Sequence, residues 1–339
     1  MVDLATDWVG LRLSSPLLVG ASPLTDDLEA LQACVQGGAG AVVMRSLFEE
    51  QIVAEQLGAH RWIDSHVDMN AEARTFLPES DALGLGSGPY VARIRKLRES
   101  LSVPVIASLN GTTVGGWIDL ARDLEQAGAA GVELNLYEVI TDMSETAATL
   151  ESRQLSVVWS VVEKLQIPVI VKLSPFYSAF PGFARQIEQT GARAIVLFNR
   201  FYQPDIDLEG LDVSRDVRLS TNAELPLRLH ACAILSGRTS LQLAVSGGVH
   251  SGDDAVKAIM AGAHVVQVVS VLLEQGPQKL ASLREEVRHR LSRLGYTSLE
   301  QARGVLSLNR APDPHAWERL NYARLLESWQ PRPSIRSFR

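Results

Sequence analysis

The chain has 339 residues, a net charge of −7, 46% hydrophobic and 21% charged residues. That apolar fraction supplies a large core, and the negative balance removes any general pull toward nucleic-acid phosphates or anionic membranes. Cys34 and Cys232 are the two cysteines, so neither a disulfide framework nor a metal site is expected.

The opening MVDLATDWVG lacks the basic and apolar regions of a signal peptide, and no run of about 18 apolar residues occurs. The cytoplasm is the expected compartment. Along the chain, LLVGAS at 17–22 reads as a first strand and 26–37 as a helix. A joint then recurs: QGGAGAVVM at 36–44, QAGAAGVEL at 126–134, QTGARAIVL at 189–197 and MAGAHVVQV at 260–268. Each puts glycine at the end of an amphipathic stretch and before a valine- and isoleucine-rich run. That pattern predicts a left-handed helix cap leading into a strand buried on both faces. VPVIASLN at 103–110, IPVIVKLSP at 167–175 and LQLAVSGGV at 241–249 bring the strands to eight. Helical stretches lie between them, among others at 90–100, 115–127, 147–165, 181–189, 252–261 and 277–293.

Eight βα alternations fit an α/β fold, a (β/α)8 TIM barrel, with an open doubly wound sheet as the competitor. Residues 1–325 are expected to form one domain, followed by a basic tail at 326–339. Two long connections, 47–89 and 200–225, leave from strand C-termini and should act as lids over the catalytic face.

On the barrel hypothesis the strands end in Ser22, Arg45 with Ser46, Asn110, Asn135, Lys172, Asn199, Ser246 with Gly247 and Gly248, and Ser270. Burying such groups without partners costs about 1–3 kcal/mol each, so they should converge on a polar ligand. Lys172, between PVIV and LSP, is the sharpest. It reads as a snorkelling rim lysine, as a Schiff-base amine, or as a fixed cation beside a flavin. AVSGGVHSGDDAVKAI resembles a phosphate cradle, with paired glycines ahead of a helix N-terminus in the position where barrels bind phosphate.

Together ASP at 21–23, MRS at 44–46, ELNL at 133–136, VKLSP at 171–175, LFN at 197–199 and SGGVHSGDDA at 246–255 resemble dihydroorotate dehydrogenase, the FMN-dependent barrel family of pyrimidine biosynthesis. The resemblance implies that Ser22, Arg45, Ser46, Asn110, Asn135, Lys172, Phe198, Asn199, Gly247, Gly248 and Ser270 bind FMN. Arg45 stands where the family commonly has lysine. Glu133 belongs to a buried polar layer below Asn135, with Lys172 as one candidate partner.

The match departs beyond Asn135. The family continues Asn-Leu-Ser-Cys-Pro-Asn with cysteine or serine as base, whereas this chain reads Asn135-Leu136-Tyr137-Glu138-Val139-Ile140. Glu138 takes the place of the base, with a solvated lid residue as its plainer reading, and Ile140 replaces a substrate asparagine. DALGL at 81–85 stands where the family's substrate loop carries asparagine, and Val269 replaces a glycine before Ser270.

The expected activity is therefore an FMN oxidoreductase acting on a CH–CH bond of a small carboxylic acid, with dihydroorotate itself in question. Lys172 would stabilise the reduced ring, Glu138 or Tyr137 would move the proton, and Arg200 would suit a small anionic substrate. The alternatives are a flavin-free Schiff-base enzyme built on Lys172 and a non-catalytic barrel subunit. The resemblance implies a homodimer or a redox partner protein.

Overall fold

The computed structural model describes residues 2–53, 87–115, 118–200, 205–214 and 217–328. An antiparallel pair, β1 (Thr6–Trp8) and β2 (Leu11–Leu13), precedes the barrel. The barrel strands are β3 (Leu17–Val19), β4 (Ala41–Val43), β6 (Val105–Asn110), β7 (Gly131–Leu136), β8 (Val169–Leu173), β9 (Ala194–Leu197), β12 (Gln242–Ser246) and β13 (Val265–Val268). They pair in parallel in that order, and β4 pairs with β6 while β13 pairs with β3, which closes the ring. A two-residue strand, β5 (Leu47–Phe48), extends the edge of β6. This is the closed (β/α)8 barrel that the alternation predicts, and the open sheet is excluded.

Glycine makes the joints as the repeated pattern requires. Gly38, Gly128, Gly191 and Gly262 all have positive φ, between +89° and +126°, which costs glycine no Cβ clash. The helices that wrap the ring are α1 (Leu28–Gln36), α2 (Ser87–Ser100), α3 (Ile118–Gln126), α4 (Ala147–Lys164), α5 (Phe180–Gln189), α6 (Leu225–Leu235), α7 (Gly252–Ala261), α8 (Ser270–Gln275) and α9 (Lys279–Arg293). Side-chain caps define several starts: Asp27 accepts from the amides of Glu29 and Ala30, and Thr146 and Ser251 form reciprocal capping boxes.

Strand alternation divides the core into an outer shell against the helices and an inner stack within the lumen. The inner stack is apolar at its base: Leu18, Ile106, Ile170, Ala194, Ala244 and Val265 pack together with Trp8, a fully buried plug carried by β1. Above that base the lumen turns polar, toward the C-terminal ends of the strands. The fold therefore stops up one end of the barrel and reserves the other for hydrogen-bonding groups.

The connection after β9 forms a hairpin, β10 (Asp205–Asp207) with β11 (Asp212–Ser214), before α6. After α9 come α10 (Leu299–Ala302) and α11 (Pro314–Glu327). Helix α11 runs into the segment read from sequence as a tail, whose remainder from residue 329 lies outside the described residues. The predicted loop DALGL at 81–85, and most of the lid at 47–89, also lie outside them.

Candidate active site

The first polar layer of the lumen is a closed cluster of three side chains. Glu133 from β7, Lys172 from β8 and Gln267 from β13 are at most 5% exposed. Lys172 Nζ donates to Glu133 Oε1 at 3.2 Å and to Gln267 Oε1 at 3.1 Å. Gln267 Nε2 donates to Glu133 Oε2, so each member bonds the other two. The candidate partner assigned to Glu133 from sequence is thus its observed one. Ion pairs this deep are costly to desolvate and costlier to break, about 3–5 kcal/mol when one partner is removed.

Above this layer, parallel register sets Asn110 beside Asn135 and Asn135 beside Lys172. Asn199 Nδ2 donates to Asn135 Oδ1, and the Asn199 amide is fixed to Leu173 O at 2.7 Å. The Asn110 side chain is 5% exposed, with no hydrogen-bond partner among the described residues. Ser46 Oγ lies 2.7 Å from Ser108 Oγ. Below that pair, the buried Tyr90 hydroxyl lies within hydrogen-bonding distance of the carbonyls of Arg45 and Ser108 and accepts from the Ser108 amide. Burial pushes the Tyr90 phenol well above its ordinary range, so it remains a neutral fastener of the β4 and β6 ends.

The glycine pair follows β12. Gly247 and Gly248 have φ of +87° and +78°, a turn that side chains resist. The Gly248 amide donates to Ser220 Oγ at 3.3 Å, and Ser220 Oγ lies 2.7 Å from Ser270 Oγ. Helix α7 then begins, capped by Ser251. Val269 is accommodated from the opposite side: a Cβ on Gly20 would come within 2.6 Å of Val269 Cγ2, so glycine at 20 leaves the room that valine takes. Ser22, 6% exposed, lies three residues beyond β3 and opens a short 3-10 turn.

Three predicted residues are engaged elsewhere. The Arg45 guanidinium is 40% exposed and pairs with Asp26 at 3.0 Å, turned to the rim rather than into the lumen. Phe198 packs edge-to-face on Phe180 of α5, with centroids 5.2 Å apart, on the helix side of the wall. Glu138 Oε1 pairs with Arg153 of α4 at 2.7 Å, and Arg153 also holds Glu145 at 3.0 Å. Glu138 Oε2 is buried with no partner among the described residues. Tyr137 is partly buried just beyond β7.

Sequence reading missed Gln267, Ser108, Tyr90, Ser220 and Arg228. Gln267 had a signal, a polar residue splitting the apolar run VVQVV. Ser220 and Arg228 had none, because each matters only through its contact with the glycine loop, Ser220 through the Gly248 amide and Arg228 through Ser246 O just before Gly247.

The dihydroorotate dehydrogenase family model matches residues 77–291. The putative dihydroorotate dehydrogenase A (fumarate) of Aeropyrum pernix is 34% identical over 239 residues, covering 66% of this chain and 75% of that protein. The catalytic subunit of dihydroorotate dehydrogenase B (NAD(+)) from Methanosarcina mazei is 28% identical, covering 87% of this chain and 93% of its own length. Its counterpart from Thermoplasma acidophilum is 26% identical, covering 90% and 99%. With the match spanning the barrel from α2 to α9 and a polar lumen at its mouth, the chain belongs to the dihydroorotate dehydrogenase family.

Proposed function

We propose that the chain is an FMN-dependent oxidoreductase that acts on a CH–CH bond of a small carboxylic acid. The observation that carries this reading is Lys172, held in the lumen by Glu133 and Gln267, with Asn135 beside it in register and Asn110 beside Asn135. A fixed cation with adjacent amides suits a planar ring that gathers negative charge at its heteroatoms. The glycine turn with Ser220 and Ser270 suits the phosphate at the other end of FMN. The bound flavin would supply the hydride acceptor. Lys172 would donate a hydrogen bond to the ring, Asn110 and Asn135 would fix its edge, and Asn199 would line the wall beside it.

The proton side of the reaction falls to the loop after β7. With Oε1 committed to Arg153, Glu138 offers Oε2 as the atom that takes the substrate proton, and Tyr137 is the neighbouring candidate. A carboxylate in place of a cysteine, together with Ile140 in place of an asparagine, argues for an acid other than dihydroorotate. Arg200, whose Nε lies 3.7 Å from Glu224, would meet the substrate carboxylate at the lid. The Schiff-base reading is weakened because Lys172 Nζ already donates to two acceptors. We place the protein in the cytoplasm, either as a homodimer or with a redox partner. Among the described residues no helix is long and apolar enough to cross a membrane.

The test is anaerobic titration of the FMN-loaded protein with dihydroorotate and a panel of other saturated carboxylic acids, followed by flavin absorbance. Bleaching by one acid, lost in Lys172→Met, supports the reading. Borohydride trapping of a carbonyl substrate on Lys172 would overturn it.

A further inference from the structure

The loop between β7 and α4 is pinned at both ends to one side chain. Arg153, in the second turn of α4, donates from Nη2 to Glu138 Oε1 at 2.7 Å and from Nη1 to Glu145 Oε2 at 3.0 Å. Glu138 lies two residues beyond β7, and Glu145 lies two residues ahead of α4. The loop therefore leaves its strand and rejoins its helix at the same guanidinium. Between these feet Asp142 Oδ1 accepts from the amide and the hydroxyl of Ser144, both at 2.8 Å, which closes the tip as a turn. The next helical residue, Gln154, is 4% exposed and accepts from the Tyr177 hydroxyl of the loop after β8 at 2.9 Å. The opening turns of α4 thus anchor two loops at the catalytic face.

Stability does not account for the double grip. The side chains of Arg153, Glu138 and Glu145 are 31%, 20% and 19% exposed, and ion pairs that water reaches contribute little. Orientation accounts for it. A guanidinium fork can take both oxygens of one carboxylate. Here Glu145 occupies one arm of the fork, so Glu138 is held through Oε1 alone. Its Oε2 is buried with no hydrogen-bond partner among the described residues. Leaving a carboxylate oxygen buried and unbonded is costly, and a fold that does so calls for a use of that oxygen. Glu145 is itself secured: Thr149 and Arg153 hold its carboxyl below the ordinary range, so it stays charged and stays on the fork.

We propose that Arg153 and Glu145 are positioning residues for the proton transfer: Arg153 clamps both feet of the β7–α4 loop, and Glu145, by filling one arm of the guanidinium, leaves one oxygen of Glu138 free for the substrate. The proton part rests on the proposed function, whereas the clamp does not. Lysine cannot do both tasks, because a point charge has no second arm in a fixed plane.

Two readouts test this: hydrogen exchange of the flavin-free protein, and stopped-flow reduction of the FMN-loaded protein by the acid that bleaches it. Arg153→Met should raise exchange several-fold across residues 137–145 and leave the barrel strands unchanged. It should lower the limiting rate of flavin reduction about 10- to 100-fold, the effect of a misplaced reacting group, with substrate affinity nearly constant. Arg153→Lys should recover part of that rate. In a Glu138→Gln background Arg153→Met should change the rate less than about twofold, since it acts through Glu138. Glu145→Ala frees an arm of the fork to take both oxygens of Glu138, so it should lower the rate while the Glu138 end stays protected; it carries the test if Arg153→Met does not fold. Unchanged exchange in Arg153→Met overturns the clamp. Rate losses that multiply in the double variant, or an unchanged rate in Glu145→Ala, overturn the positioning role alone. A wild-type protein that no acid reduces refutes the proposed function, and the proton role with it, while the exchange result still decides the clamp.

Discussion

The Glu133–Lys172–Gln267 cluster makes a quantitative demand on stability. Removing either charge by Glu133→Leu or Lys172→Met leaves its partner buried at no more than 5% exposure without a counter-charge. Each single change should therefore cost about 3–5 kcal/mol. The double variant removes both charges and leaves the Gln267 amide alone to lose its bonds, about 1–3 kcal/mol. The double change should then cost far less than the sum of the singles, a coupling of several kcal/mol. Urea unfolding of the flavin-free protein at constant m-value reads all three. Single-variant costs that add to the double within about 0.5 kcal/mol would show that the three side chains do not act as a unit, and the reasoning would fail.

Glu138→Gln should lower the rate of flavin reduction by substrate about 10²- to 10⁴-fold while FMN affinity holds, as measured by stopped flow; an unchanged rate would pass the proton role to Tyr137. Burial, and secondarily the Arg303 charge, depress His264 to about 4. Between that value and the ordinary 6.5 the unfolded chain binds a proton that the native one refuses. Stability should therefore fall by about 2–3 kcal/mol as pH drops from 6.5 to 4, and His264→Gln should flatten that part of the profile in urea titrations. Trp8→Ala, which empties the plug of the barrel base, should cost about 3–5 kcal/mol and leave FMN binding intact; a loss of FMN affinity would contradict the separation of the two ends.

The ring was legible because a barrel strand buried on both faces announces itself as an apolar run, and glycine marks where four of the eight begin. Lys172 and Glu133 were legible for the same reason: a charge inside such a run has to be answered. Gln267 breaks its run in the same way but, carrying no charge, was passed over. Arg45 and Phe198 show the limit of the method. Sequence places them at strand ends, but Asp26 and Phe180, distant in sequence, decide which way each side chain turns. Helix α6 gave no warning of Arg228, since an arginine between leucines reads as the solvated face of an amphipathic helix. Only the turn at Gly247 brings backbone close enough to bury it.

The claim that ties these residues together is the flavin. The most direct measurement is the absorption spectrum of freshly purified protein, with the released chromophore identified after denaturation. The account predicts flavin bands and FMN in the supernatant, or their appearance when FMN is added to colourless protein. A protein that is colourless and takes up no added FMN would contradict it.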